Sequence, residues 1–199
     1  MKIGEAKQIY SARFEEFWDQ KLSLAKKKKA LDEKINTTPN GKEVFSHEAV
    51  TLDLSYNAVS EKCEEYSNFL EQVMLTRSGL YNAEVAKQQG DIMSECARDT
   101  AKIMEVARRI SRGGKVPAED EKKLMEFSMV MYMSAKNAAM MNELKEKKQY
   151  TSLWDEEKGT EENPDPNEVA DNGELTLDAP DAVDVSSVIA SAVSDDESE

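Results

Sequence analysis

Apolar residues in the first 150 positions recur at helical spacing, and dense turn signals cut them into four stretches of similar length. In the first, about 5–36, Ile3, Tyr10, Phe17, Leu24 and Leu31 repeat every seven residues, with Phe14, Trp18, Leu22 and Ile35 beside them. That spacing predicts one apolar stripe on a long helix. Asn36-Thr37-Thr38-Pro39-Asn40-Gly41 is a turn cluster that ends it.

The second stretch, about 43–78, opens with Asn40 and Glu43 in the spacing of a capping box. Phe45, Ala49, Leu52, Tyr56, Val59, Cys63, Tyr66, Leu70 and Val73 then alternate steps of four and three, the pattern of a helix seam. Ser78-Gly79 is expected to close it, with glycine in the left-handed cap position. The third stretch, about 83–112, is led by Val85 and Ala86 and carries Ile92, Cys96, Thr100, Ile103, Ala107 and Ile110. Residues 66 and 103 fall about 100° out of phase on a straight helix. The two stripes therefore do not share a face, which favours a break near Gly79, with Gly90 as a second place for one. Gly113-Gly114 and Pro117 end this stretch.

The fourth, about 118–150, has Glu119, Asp120 and Glu121 in its first turn and Lys145, Lys147 and Lys148 in its last, complementing the helix dipole. Its expected buried face is Leu124, Phe127, Met131, Ala135, Ala138 and Met141. Matched lengths and short loops predict an all-α domain over 1–154, an antiparallel bundle of about four long helices. The alternative is a coiled-coil hairpin that completes its core by dimerising, which would make the 43–78 stripe a homo-oligomer seam.

Charge separates this body from the C-terminal residues. Residues 155–199 hold sixteen Asp or Glu against Lys158 alone, net -15, whereas 1–154 carries net +1. With Pro164, Pro166 and Pro180 and little apolar area to offset ordering entropy, 155–199 is expected to be a disordered acidic tail. An island of Val183, Val185, Val188, Ile189 and Val193 interrupts it. Val185, Val188, Ile189 and Val193 form a candidate linear motif that folds on a partner. The acids could also fold back onto Lys26-Lys27-Lys28-Lys29 or onto Arg108, Arg109, Arg112 and Lys115 as an electrostatic shield.

Candidate chemistry is sparse. His47 is the one histidine and reads as an exposed helix residue. No Glu-x-x-His pair offers a di-metal site. Ser111-Arg112-Gly113-Gly114-Lys115 lacks phosphate-loop spacing, and the Asp165 to Gly173 stretch lacks a calcium-loop pattern. No catalytic residue, metal site or cofactor is expected, and a body of net +1 supplies no basic stripe for nucleic acid. Cys63 and Cys96 sit on apolar helical positions and read as buried thiols, with a mutual disulfide as the other option. No targeting segment is evident. The longest apolar run, Met129 to Met133, is far below the roughly 18 residues of a membrane span, so the setting expected is cytoplasmic, without membrane partners.

Six of ten methionines fall between 125 and 141. They surround the helix, so either the core there is adaptable or Met125, Met129, Met133 and Met140 form a partner surface of readily repacking thioethers.

The stretches Ala107-Arg108-Arg109-Ile110-Ser111-Arg112-Gly113-Gly114-Lys115-Val116-Pro117, Asp120-Glu121-Lys122-Lys123-Leu124-Met125-Glu126 and Ala135-Lys136-Asn137-Ala138-Ala139 resemble small uncharacterised helical proteins of anaerobic Firmicutes. The resemblance implies a bacterial cytosolic setting and carries over no activity and no site residue. The resulting expectation is a non-enzymatic protein–protein interaction or scaffold protein. A second reading is a secretion-associated helical protein, either a signal-less export substrate or an acidic chaperone, although Trp18 is followed by Asp19-Gln20-Lys21 rather than a Trp-x-Gly turn. An enzyme or metal protein is a third reading, and a nucleic-acid mimic based on the tail is a fourth.

Overall fold

The structure, a computed structural model, describes residues 1–141, 148–155 and 162–194. Among these residues every regular element is an α-helix, and no strand forms. In chain order the helices are α1 (Ile3–Thr37), α2 (Gly41–Val44), α3 (Ser46–Ser111), α4 (Ala118–Phe127), α5 (Met129–Met141), α6 (Pro166–Asn172) and α7 (Val185–Ser194). The chain divides into two compact units, Met1–Glu84 with Pro164–Glu199, and Val85–Asn163.

Unit 1 is a hairpin of α1 and the first part of α3, covered by a returning C-terminal segment. The seven-residue repeat of α1 is its buried face: Ile3, Tyr10, Phe17, Leu24 and Leu31 are all buried. Ile3 to Leu24 pack with Val59, Cys63, Tyr66, Phe69 and Val73 of α3. Of the stripe over 43–78, Val59, Cys63, Tyr66 and Val73 are therefore buried within unit 1, and Phe45, Ala49, Leu52, Tyr56 and Leu70 are half-buried. The hairpin turn is fixed at Asn40 and Gly41. Asn40 takes the left-handed conformation, φ 56°, which asparagine tolerates better than most residues. A Cβ at Gly41 would overlap the Ile35 carbonyl group, so no other residue fits there without moving the backbone.

Two expected helices, 43–78 and 83–112, are corrected to one. α3 runs unbroken through Gly79 and Gly90. The phase change between the two apolar stripes marks a change of packing partner, from α1 to α4 and α5, and not a break in the backbone. Neither glycine is needed: a Cβ at either position meets nothing within 4 Å. Gly79→Ala and Gly90→Ala are each expected to stabilise the chain by about 0.5–1 kcal/mol, through backbone entropy and helix propensity. A rise in urea midpoint at unchanged slope is the check; a fall would mean that α3 bends there.

Unit 2 joins the end of α3 to α4 and α5. Val106, Ile110, Leu124 and Ala135 are its buried centre, with Ile103, Ala107, Val116, Met131, Tyr132, Leu153 and Trp154 packed around them. α3 stops in a Schellman turn. Gly113 is left-handed, φ 80°, its N–H donates to the Ile110 carbonyl at 2.8 Å, and the Gly114 N–H donates to the Arg109 carbonyl at 3.0 Å.

The single helix expected over 118–150 is also corrected. The backbone turns extended at Ser128, whose N–H closes α4 onto the Leu124 carbonyl while its hydroxyl accepts the Met131 N–H at 3.2 Å. One serine ends one helix and caps the next. This resets the phase, so Leu124 and Ala135 are buried as expected while Phe127 and Met141 are exposed. Lys148 lies outside any helix, and Lys145 and Lys147 lie outside the described residues. The disordered reading of 155–199 is likewise corrected over its described part. α6 and α7 form there and pack on unit 1.

Candidate interaction surfaces

The first surface is the groove that the C-terminal segment occupies in unit 1. α6 begins with Asp165 as its cap, the carboxylate accepting the Asn167 N–H at 2.8 Å, and with Pro166 in the first turn. Arg77 of α3 grips Asp171 at both carboxylate oxygens, Nε to Oδ1 at 2.6 Å and Nη2 to Oδ2 at 3.1 Å. Hydrogen bonding to that guanidinium, with Lys7 also near, holds the Asp171 carboxyl below its ordinary range. The chain then runs extended beside the start of α1. The Ile3 N–H donates to the Gly173 carbonyl at 3.0 Å, and the Leu175 N–H donates to the Met1 carbonyl at 2.9 Å. Side chains alternate here. Gly173, Leu175 and Leu177 are half-buried, whereas Glu174, Thr176 and Asp178 are exposed.

Two tyrosines then capture the backbone. The Tyr10 hydroxyl donates to the Pro180 carbonyl at 2.6 Å. The Tyr66 hydroxyl donates to the Asp181 carbonyl at 2.8 Å and accepts the Val183 N–H at 3.2 Å. Burial, with Tyr66 and Asp181 adding to it, pushes the Tyr10 phenol above its ordinary value, so it stays a donor. The rings form one cluster: Tyr10 meets Phe69 edge-on at 4.6 Å, and Phe17 meets Tyr66 edge-on at 5.4 Å. Arg13 of α1 pairs with Asp184 at 3.0 Å just before α7 begins. Val185, Val188 and Ile189 of the candidate linear motif pack against the same cluster, and Val193 is half-buried near the end of α7.

Among the described acids of the segment, Asp171 folds back onto Arg77 and Asp184 onto Arg13. Lys28 pairs with Asp53 at 2.6 Å. Sequence reasoning passed over Leu175 and Leu177. Their alternation with Glu174, Thr176 and Asp178 is a period-two signal that the net charge of the segment obscured.

The second surface belongs to unit 2, where residues 148–155 return to the end of α3. Lys115 and Tyr150 exchange backbone contacts, the Lys115 N–H donating to the Lys148 carbonyl and the Tyr150 N–H to the Lys115 carbonyl. Asp120, 1 % exposed in the first turn of α4, accepts from the Ser152 hydroxyl at 2.6 Å and from the Leu153 N–H at 3.3 Å. Trp154 donates its indole N–H to Asp99 at 3.2 Å and lies under the Lys123 ammonium at 3.9 Å. This framework leaves α5 with an apolar outer side. Met129 and Met133 are each 53 % exposed, Met140 70 %, and Val130 and Met141 more so. Met125 and Phe127 of α4 are exposed as well. Of the four methionines read as a partner surface, none is buried, while Ala135 is buried and Ala138 half-buried.

Glu105 anchors the basic end of α3. It accepts from Arg108 at 2.6 Å and from Arg109 at 3.1 Å, and these bonds, Arg108's first, pull its carboxyl from the ordinary 4.5 down to about 2. A carboxyl depressed in the folded state stabilises fully above its unfolded pKa and loses that contribution as pH falls through the folded one. Glu105→Gln is expected to cost roughly 1 kcal/mol at pH 7, a value kept low by solvent at this partly exposed pair. That difference should vanish between pH 4.5 and about 2 in paired melting curves. A difference that persists at about pH 2 would contradict the ion-pair account.

Among the described residues, no group of three or more His, Cys, Asp or Glu side chains is placed to hold a metal ion. No described helix is long and apolar enough to cross a membrane. Cys63 is buried, and burial pushes its thiol up, which suits a packing residue. Cys96, expected to be buried, is exposed, and both thiols are free. His47 is exposed, as its position early in the second stretch implied. No protein-family model, no curated protein and no solved structure matches this chain.

Proposed function

We propose that this is a non-enzymatic protein–protein interaction or scaffold protein that binds a partner helix on the outer side of α4 and α5. The observation that carries the reading is the exposure of Met129, Met133 and Met140 on one short helix whose opposite side is packed. Exposed thioethers in a row are costly in water and adapt readily to an apolar partner surface. Ala138 and Ala139, half-buried on other sides of the helix, keep α5 slim. An amphipathic helix laid along such a strip would be read through apolar anchors at helical spacing.

The test compares wild type with a variant carrying Met129→Glu, Met133→Glu and Met140→Glu. The three side chains are exposed, so the circular dichroism spectrum should be unchanged. A protein co-purifying with wild type and lost from the variant supports the reading. A partner held equally by both chains would remove this surface from it. Specific turnover found in a metabolite screen would replace it with an enzymatic one.

A further inference from the structure

We infer that the groove between α1 and the first part of α3 is a peptide-binding site, and that its partner is the segment 162–194 of a second copy, taken in place of the chain's own. Three features of the seat make it a binding site and not simply a packed layer. The first is how the segment is recognised. Tyr10 and Tyr66 bond the main chain at Pro180, Asp181 and Val183, and the start of α1 bonds it at Gly173 and Leu175. Backbone capture of an extended segment, with alternate side chains set inward, is a recurrent mode of peptide recognition.

The second feature is the asymmetry of burial. Ile3, Phe17, Tyr66 and Val73 of the groove are fully buried. Past Ala170 the segment has no buried residue, and α7 has none at all. The segment lies on the hairpin as an outer layer, half in solvent along its length. The third is the pair of charge clamps. Arg77 on Asp171 and Arg13 on Asp184 sit at the two ends of the extended run and fix its direction and register.

Every one of these contacts is non-covalent, and the chain links the segment to the hairpin only through residues 85–163, a separate unit. Covalent linkage therefore adds local concentration and no contact. An identical segment from a second copy satisfies the same donors, pockets and arginines, which is the condition for exchange of an element between copies.

The experiment uses the full chain with a protease site placed within 156–161, cleaved after folding. A fluorescent synthetic peptide of residues 162–194 is then added in excess, beside a scrambled peptide of the same composition. The expected result is that the cleaved piece stays bound on size exclusion, and that the labelled peptide replaces it while the hairpin keeps its helical signal. Tyr10→Phe with Tyr66→Phe should then weaken the peptide by roughly tenfold or more. Loss of the helical signal when the piece leaves would overturn the inference, because the segment would then be part of the fold and not a ligand. Failure of the peptide to bind the emptied groove would overturn it too. So would equal binding of the scrambled peptide, which would reduce the contact to charge alone.

Discussion

Tyr66→Ala should lower the stability of unit 1 by about 3–5 kcal/mol, in the range for removing a large buried aromatic ring. Tyr66 is fully buried and touches Tyr10 and Phe17 with its ring. Its hydroxyl serves the Asp181 carbonyl and the Val183 N–H together. Truncation therefore opens a cavity in the hairpin and strips two backbone groups of the covering segment of their partner. Tyr66→Phe keeps the ring and removes only the second part, so it should cost about 1–2 kcal/mol. The two tryptophans allow the loss to be located. Trp18 lies in unit 1 and Trp154 in unit 2, so urea unfolding in a Trp154→Phe background follows unit 1 through Trp18. An alanine variant unfolding at the wild-type midpoint would mean that Tyr66 is not the centre of this cluster.

Asp120→Ala should cost unit 2 about 2–3 kcal/mol. A buried carboxylate removed from two donors leaves both unpaired, and the cost of that exceeds the worth of an average hydrogen bond. Ser152 and Leu153 lose their acceptor at once, and the segment that carries Trp154 loses its hold on α4. The indole should then move toward solvent, with a red shift in its emission. Asp120→Asn retains an acceptor oxygen and should fall between the two. Wild-type emission and midpoint in Asp120→Ala would show that the indole contacts to Asp99 and Lys123 hold the segment without help.

The hairpin is legible in the sequence because one physical signal dominates it. The seven-residue repeat of α1 and the four-three alternation before residue 74 both answer to burial against a single partner helix. Where the partner changes, the same signal misleads. The phase shift between Tyr66 and Ile103 resembles a break, since periodicity records which face is buried and not whether the backbone continues. Ser128 misleads in the opposite sense. It ends α4 with neither glycine nor proline beside it, and only its capacity to cap α5 marks the place. Composition alone hides the order of the acidic segment. Its carboxylates do oppose ordering in isolation, but the hairpin supplies a groove in which Arg13 and Arg77 take two of them and two phenols take the backbone. The exposure of Met129, Met133 and Met140 is legible because methionines at every phase of a helical stretch cannot all be inside.

The order in which the two units appear along the chain bears on how the protein is made. Unit 1 is interrupted by residues 85–163, so a nascent chain presents α1 and the first part of α3 well before the residues that cover them leave the ribosome. At translation rates of about 5–20 residues per second, the roughly 100 residues between Glu84 and Ile189 take roughly 5–20 s to synthesise. Helix formation and chain collapse are far faster. For that interval Tyr10, Phe17, Tyr66 and Phe69 lack the residues that complete their cluster, so the last part of unit 1 to be made is the part that closes it.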